Sequence, residues 1–151
     1  MTLVELIVAF TILAALTSMA VPLARSNVRR IRERELRIAL SELRLAIDKY
    51  KDLCDQGKIA AGDPDTFCYP PKLDLLVEGV KMNSTLSGNG QTSKVKFLRK
   101  IPKDPFTGDA DWGMRSMQDE PTSNSWGGQN VFNVYTKAMD KAGDGTSYSE
   151  W

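Results

Sequence analysis

From Leu6 to Ala24 the chain carries nineteen consecutive residues without a charge, interrupted only by the polar side chains of Thr11, Thr17 and Ser18. A run that is apolar in every direction predicts a helix with no polar face. As a helix, residues 1–24 would reach about 36 Å, against a bilayer hydrocarbon layer of roughly 30 Å. A secretory signal peptide would place its basic residues ahead of the run, whereas here they follow it. A fully buried core helix is the remaining alternative, but a chain of 151 residues has little mass with which to wrap it. Residues 1–24 are therefore expected to form a transmembrane or filament-core helix segment.

After Ala24 the pattern changes without losing its period. Arg25, Arg29, Arg30, Arg32, Arg34 and Arg37 stand against Glu33 and Glu35, while Leu36, Leu40, Leu43, Ile47, Tyr50 and Cys54 recur at spacings of 4, 3, 4, 3 and 4. Such spacing draws one apolar stripe down a 3.6-residue helix, so residues 25–57 read as an amphipathic continuation that stops at Gly57. Proline within a helix removes one backbone hydrogen bond, which makes Pro22 the expected site of a kink.

Residues 58–151 lack long periodic stretches and contain no internal repeat. Lys72 to Val80 predicts a two-turn helix packing Leu73, Leu76 and Val77 inward. Lys81 to Ser93, rich in Asn, Ser, Thr and Gly, predicts an exposed loop. Strands are expected at Val95–Ile101, Trp112–Met117 and, best supported, Val131–Thr136, where β-branched and aromatic residues follow the turn signal Gly127-Gly128. The fold class is α+β: a long N-terminal helix packed on a small antiparallel sheet domain.

Composition narrows the chemistry. There is no histidine, which removes imidazole bases, Ser-His-Asp and Cys-His nucleophile pairs, and histidine-ligated zinc. No pair of Asp, Glu, Lys, Ser or Cys has convincing catalytic spacing, so no catalytic residues are expected and the chain is read as a non-enzyme. A net charge of +1 argues against a nucleic-acid partner. The two cysteines, Cys54 and Cys68, flank a turn-rich segment. A disulfide between them would close a loop worth about 3 kcal/mol in the chain-entropy model and would belong outside the cytosol. The arginines after the apolar run point the other way, because positive flanks favour the cytoplasmic side.

Glu5 is the one carboxylate in the apolar terminus. An ionised group deep in a membrane costs about 2.5 to 3.5 kcal/mol, so such a residue is solvated at the headgroups or paired. Pairing with the α-amino group of a neighbouring copy would hide both charges together.

These residues carry a resemblance. Met1-Thr2-Leu3-Val4-Glu5-Leu6-Ile7-Val8, followed by apolar residues to Val21-Pro22, resembles the processed N-terminus of type IV pilin-like proteins. Leu98-Arg99-Lys100-Ile101-Pro102-Lys103-Asp104-Pro105, with Trp112, Val131 to Tyr135 and Trp151, is similar to the major pseudopilin of type II secretion systems. The N-terminal third is covered well, the C-terminal third in fragments, and Gly57 to Lys96 loosely. The resemblance implies a pilin-like fold and a structural subunit that polymerises into a helical pseudopilus driving protein secretion, with Met1, Glu5 and Pro22 as assembly residues and Met1 as the N-methylation site. It implies a single pass of the bacterial inner membrane with the N-terminus cytoplasmic, then a periplasmic or extracellular filament. The partners it implies are copies of the chain itself, minor pseudopilins and the inner-membrane secretion platform. In this family a basic leader precedes residue 1 and sets the orientation, which resolves the conflict between arginines and cysteines. Met1 is then either the mature N-terminus or an initiator.

The resemblance also brings calcium in a C-terminal loop, for which Asp140 and Asp144 in Met139–Glu150 are the candidate ligands. The segment fails as an EF-hand, with Ala142 and Trp151 at ligand positions. An exposed acidic turn without metal is the alternative. Two other functions stay open: the major pilin of an adhesive or motility pilus, and a membrane-anchored binding domain. In the filament, Ala14 to Ala20 is expected to unwind, because Pro22 leaves Ser18 without its usual hydrogen-bond donor.

Overall fold

The apolar run and the amphipathic stripe form one helix, α1, over Leu3–Asp55. The computed structural model describes residues 2–83 and 93–151, excepting the side chains of 19–25. Helix α1 opens on a Thr-x-x-Glu signature. The amides of Glu5 and Leu6 donate to the Thr2 carbonyl, and the Thr2 amide donates to Glu5 Oε2 across a long 3.4 Å, the backward half of a capping box. At its other end the Gly57 amide donates to the Cys54 carbonyl (2.8 Å) and the Lys58 amide to the Leu53 carbonyl (2.9 Å), with Gly57 at φ 68°. This pair of bonds is the Schellman motif, and it needs the left-handed residue that glycine supplies without strain.

The chain divides into two compact units, Met1–Glu35 and Leu36–Trp151. In the second, every residue of the stripe from Leu36 to Cys54 is buried. These side chains pack with Ile59, Leu73, Leu76, Leu98, Trp112, Val131, Val134 and Tyr148 in one core. Helix α2 spans Asp74–Glu78, with Leu73 and Leu76 buried and Val77 at the core's edge. Gly79 ends it at φ 82°, and a Cβ there would lie 2.5 Å from the Val95 carbonyl oxygen.

Among the described residues, two short antiparallel sheets lie in this unit. Strands β1 (Val80–Lys81) and β2 (Lys94–Val95) pair Val80 with Val95, and β3 (Gly113–Arg115) and β4 (Asn133–Tyr135) pair Met114 with Val134. The α+β class thus holds, while β2, β3 and β4 are shorter than the sequence pattern predicts and β1 forms where a helix end and a loop are expected, for an identifiable reason. Phe97 and Leu98 amides donate to the Leu76 carbonyl of α2, not to a strand. Ser116 and Met117 amides are taken by the side chains of Asp119 and Asn130. The Val131 amide donates to Pro70. Backbone groups claimed by helix ends and side chains cannot also extend a ladder. Most of the predicted loop Lys81–Ser93, namely residues 84–92, lies outside the described residues.

Candidate assembly surface

Among its described residues, unit Met1–Glu35 leaves large apolar side chains uncovered. Leu3 and Phe10 are 75% and 76% exposed, and Val4, Leu6, Ile7, Val8, Ile12, Leu13 and Leu16 are exposed as well. The polar residues among them are satisfied within the helix. Thr11 donates to the Val8 carbonyl (2.8 Å), Thr17 to those of Leu13 and Ala14, and Ser18 to that of Ala15 (2.9 Å). Hydroxyls returned to the helix's own carbonyls leave its sides suited to apolar surroundings. Arg29 and Glu33 form a one-turn ion pair at 3.4 Å. Among the described residues no helix is long and apolar enough to cross a membrane. Their share of the apolar run, Leu3 to Ser18, is shorter than the roughly 20 residues a span requires. Met1 and the side chain of Pro22 lie outside the described residues. The helix is continuous through Ala14 to Ala20 in the single chain, and the unwinding expected of a filament concerns another state.

In the second unit the expected disulfide is present, joining Cys54 and Cys68 with Cα atoms 5.6 Å apart. It fastens the end of α1 to a loop in which Phe67 and Cys68 both adopt positive φ (50° and 63°). Gln118 and Asn130 side-chain amides donate to the Asp65 carbonyl, and Lys51 lies 5.0 Å over the Tyr69 ring.

Three arginines organise the rest, and sequence patterning missed their roles. Arg44, beside the stripe, donates from Nε to Asn133 Oδ1 (3.0 Å) and from Nη2 to the carbonyls of Val134 and Trp151 (3.3 and 2.6 Å). It thereby ties α1 to β4. Burial, and then the charge of Arg115, lower its pKa from the ordinary arginine value. Arg115 donates to the Ser123 and Ser149 carbonyls and stacks 4.0 Å from the Tyr135 ring. Arg37 lies 4.2 Å over the Trp151 ring, which meets Tyr148 edge-on. A positional pattern counts such residues as solvated charge, because nothing local marks the carbonyls and rings they reach.

The Leu98–Pro105 segment contributes Leu98 to the core and buries Asp104, while Arg99, Lys100 and Lys103 stay exposed. Leu98 is buried, and Trp112 Nε1 donates to the Pro102 carbonyl (2.9 Å). Asp104, wholly buried, accepts from the Thr136 hydroxyl and from the Phe106 amide (2.8 Å). Asp-Pro is a turn signal legible in sequence, but its buried partner Thr136 is not.

The calcium candidates do not gather a cation site. Calcium takes six to eight oxygens, yet among the described residues no three or more Asp, Glu, Cys or His residues come together around a common point. Asp144 Oδ1 already accepts from the Thr146 amide (3.0 Å) and hydroxyl (2.6 Å), and the Asp140 carbonyl accepts from Tyr148. Among the described residues the carboxylates of this loop do not converge, and that of Asp144 is engaged by Thr146.

Compared with known proteins, the chain matches no family model, no curated protein and no solved structure. Its secure architecture is a long N-terminal helix packed against small antiparallel sheets and closed by a disulfide.

Proposed function

We propose that the chain is a structural, non-catalytic subunit that polymerises through its N-terminal helix into a pilus-like filament, as the major pseudopilin of a type II secretion system. The observation that carries this reading is the exposed apolar helix surface from Leu3 to Leu16, whose hydroxyls are internally satisfied. Apolar surface of this extent is unfavourable in water and calls for lipid or for other helices. Within the second unit, Ile38 and Leu45 are exposed apolar positions as well. The resemblance of the Leu98–Pro105 segment favours a pseudopilus over a long adhesive pilus. On this reading the helix resides in the inner membrane, with Pro22 inside it, until copies bundle around a hydrophobic axis. Minor pseudopilins and the inner-membrane platform are its other partners.

Glu5 supplies the test. In the single chain its carboxylate serves the capping box, and in an assembly the neighbouring copy's α-amino group at Met1 would be the stronger partner. Removing one member of a buried ion pair typically costs about 3 to 5 kcal/mol. Glu5→Ala is therefore expected to abolish filaments seen by electron microscopy while the protein remains folded in the membrane. Abundant normal filaments from the variant would sink the proposal, and long bundled filaments from the native chain would identify a pilus instead.

A further inference from the structure

The C-terminal loop is expected by resemblance to close around calcium, and among the described residues its carboxylates do not converge. What closes it is visible. The Ala142 amide donates to the Thr146 carbonyl (2.7 Å) and the Gly145 amide to the Ala142 carbonyl (3.0 Å), while Lys141 and Ser147 form an antiparallel bridge. Gly145 takes φ 88° at the turn. Outward from this turn runs a directed chain of side chains: Trp151 Nε1 donates to Thr146 Oγ1 (3.1 Å), and Thr146 Oγ1 donates to Asp144 Oδ1 (2.6 Å). The Trp151 ring is held from the side of α1 by the guanidinium of Arg37 at 4.2 Å, and its carbonyl by Arg44 Nη2 at 2.6 Å.

We propose that this chain is a metal-independent latch: Arg37, Trp151, Thr146 and Asp144 fix the C-terminal loop to helix α1 and do the work that a divalent cation would otherwise do. The latch contacts stand whether or not the chain forms filaments, and the comparison with a cation rests on the pilin-like resemblance. It requires that a fixed cation, an aromatic plate and one hydroxyl supply the order that metal coordination provides by gathering oxygens. Arg37 has the right character, since a guanidinium both stacks on an indole face and projects positive charge toward a carboxylate. The Asp144 carboxyl is held below the usual range, chiefly by the hydroxyl and amide of Thr146 and to a smaller degree by Arg37. This agrees with an ionised acceptor already supplied with donors.

The test uses the full-length chain in detergent. In hydrogen-exchange measurements, Thr146→Val, which removes the hydroxyl at constant shape, is expected to speed exchange at the Ala142 and Gly145 amides about fivefold, the equivalent of one ordinary hydrogen bond. Thr146→Ser is expected to keep native rates, and Arg37→Gln to speed the same amides. Calcium should give no saturable heat in titration calorimetry, and the unfolding midpoint should be equal in calcium chloride and in chelator. Native exchange rates in Thr146→Val and Arg37→Gln would overturn the latch. So would a calcium-dependent rise in midpoint that disappears in Asp144→Asn, a variant that retains an acceptor for Thr146 but loses the charge a cation needs.

Discussion

Opening the Cys54–Cys68 bridge should destabilise the second unit by an amount the structure allows to be worked out. The cysteines are 14 positions apart, closing a loop of about 15 residues, for which the chain-entropy relation gives about 3 kcal/mol at 25 °C. The variant should be Cys54→Ala with Cys68→Ala. Cys54 is 5% exposed, and serine there would add the separate cost of a buried hydroxyl. The contacts of Asp65, Tyr69 and Pro70 with the rest of the domain survive the change, so the loop stays attached and the loss is that of unfolded-state constraint. For a unit of this size each kcal/mol moves the midpoint by roughly 4 °C, which gives about 12 °C. Tryptophan fluorescence against temperature would follow it, because Trp112 and Trp126 are both hydrogen-bonded inside this unit. A midpoint unchanged from the oxidised parent would refute the argument. So would mass spectrometry finding both thiols free in protein taken from the cell envelope.

Further outcomes follow from single contacts. Arg44→Met keeps the apolar stem but removes the guanidinium donors to the Val134 and Trp151 carbonyls and leaves Asn133 Oδ1 with the Val134 amide. It is expected to cost about 2 kcal/mol in denaturant unfolding, and a neutral result would show that the bridge between α1 and β4 contributes nothing. Gly113→Ala would place a Cβ 2.3 Å from Tyr135 Cζ, forcing the ring off Arg115 and Asn124. A loss of roughly 1 to 3 kcal/mol is expected, with unchanged stability as the refuting result. The Asp119 carboxyl is held below its usual range by the Ser116 and then the Gly127 amides. A depressed folded-state pKa makes its stabilisation complete above the unfolded value near 4 and lost as pH falls through the lower folded value. Amides of Ser116 and Gly127 should lose protection as pH falls through that lowered folded value in the native chain, and Asp119→Asn should remove that acid step.

The long helix, its stop and the disulfide were all legible in the sequence because each depends on local or one-dimensional information. A 3.6-residue stripe from Leu36 to Cys54 can bury one face only as a helix, Gly57 alone supplies the left-handed cap cheaply, and two cysteines permit one pairing. The placement of Leu73 and Leu76 in the core followed from the same kind of periodicity. The capping box is local as well, since Thr2 and Glu5 stand three residues apart at the helix start. Strand length could not be read this way. Whether Val95–Ile101 continues as a strand depends on who accepts its amide protons, and the Leu76 carbonyl, placed by the packing of α2, takes two of them. The arginines show the same limit more sharply. Arg37, Arg44 and Arg115 look like solvated charges in one dimension. Only tertiary structure brings an indole, four backbone carbonyls and a phenol ring within their reach. Calcium was suggested by resemblance alone, and coordination requires oxygens converging on a point, which no local pattern reveals. In the folded loop the carboxylate of Asp144 turns to Thr146. Sequence determined which faces must be buried; the fold decided which polar groups meet, because hydrogen bonds and ring contacts are fixed by positions a few tenths of an ångström apart and by residues distant along the chain.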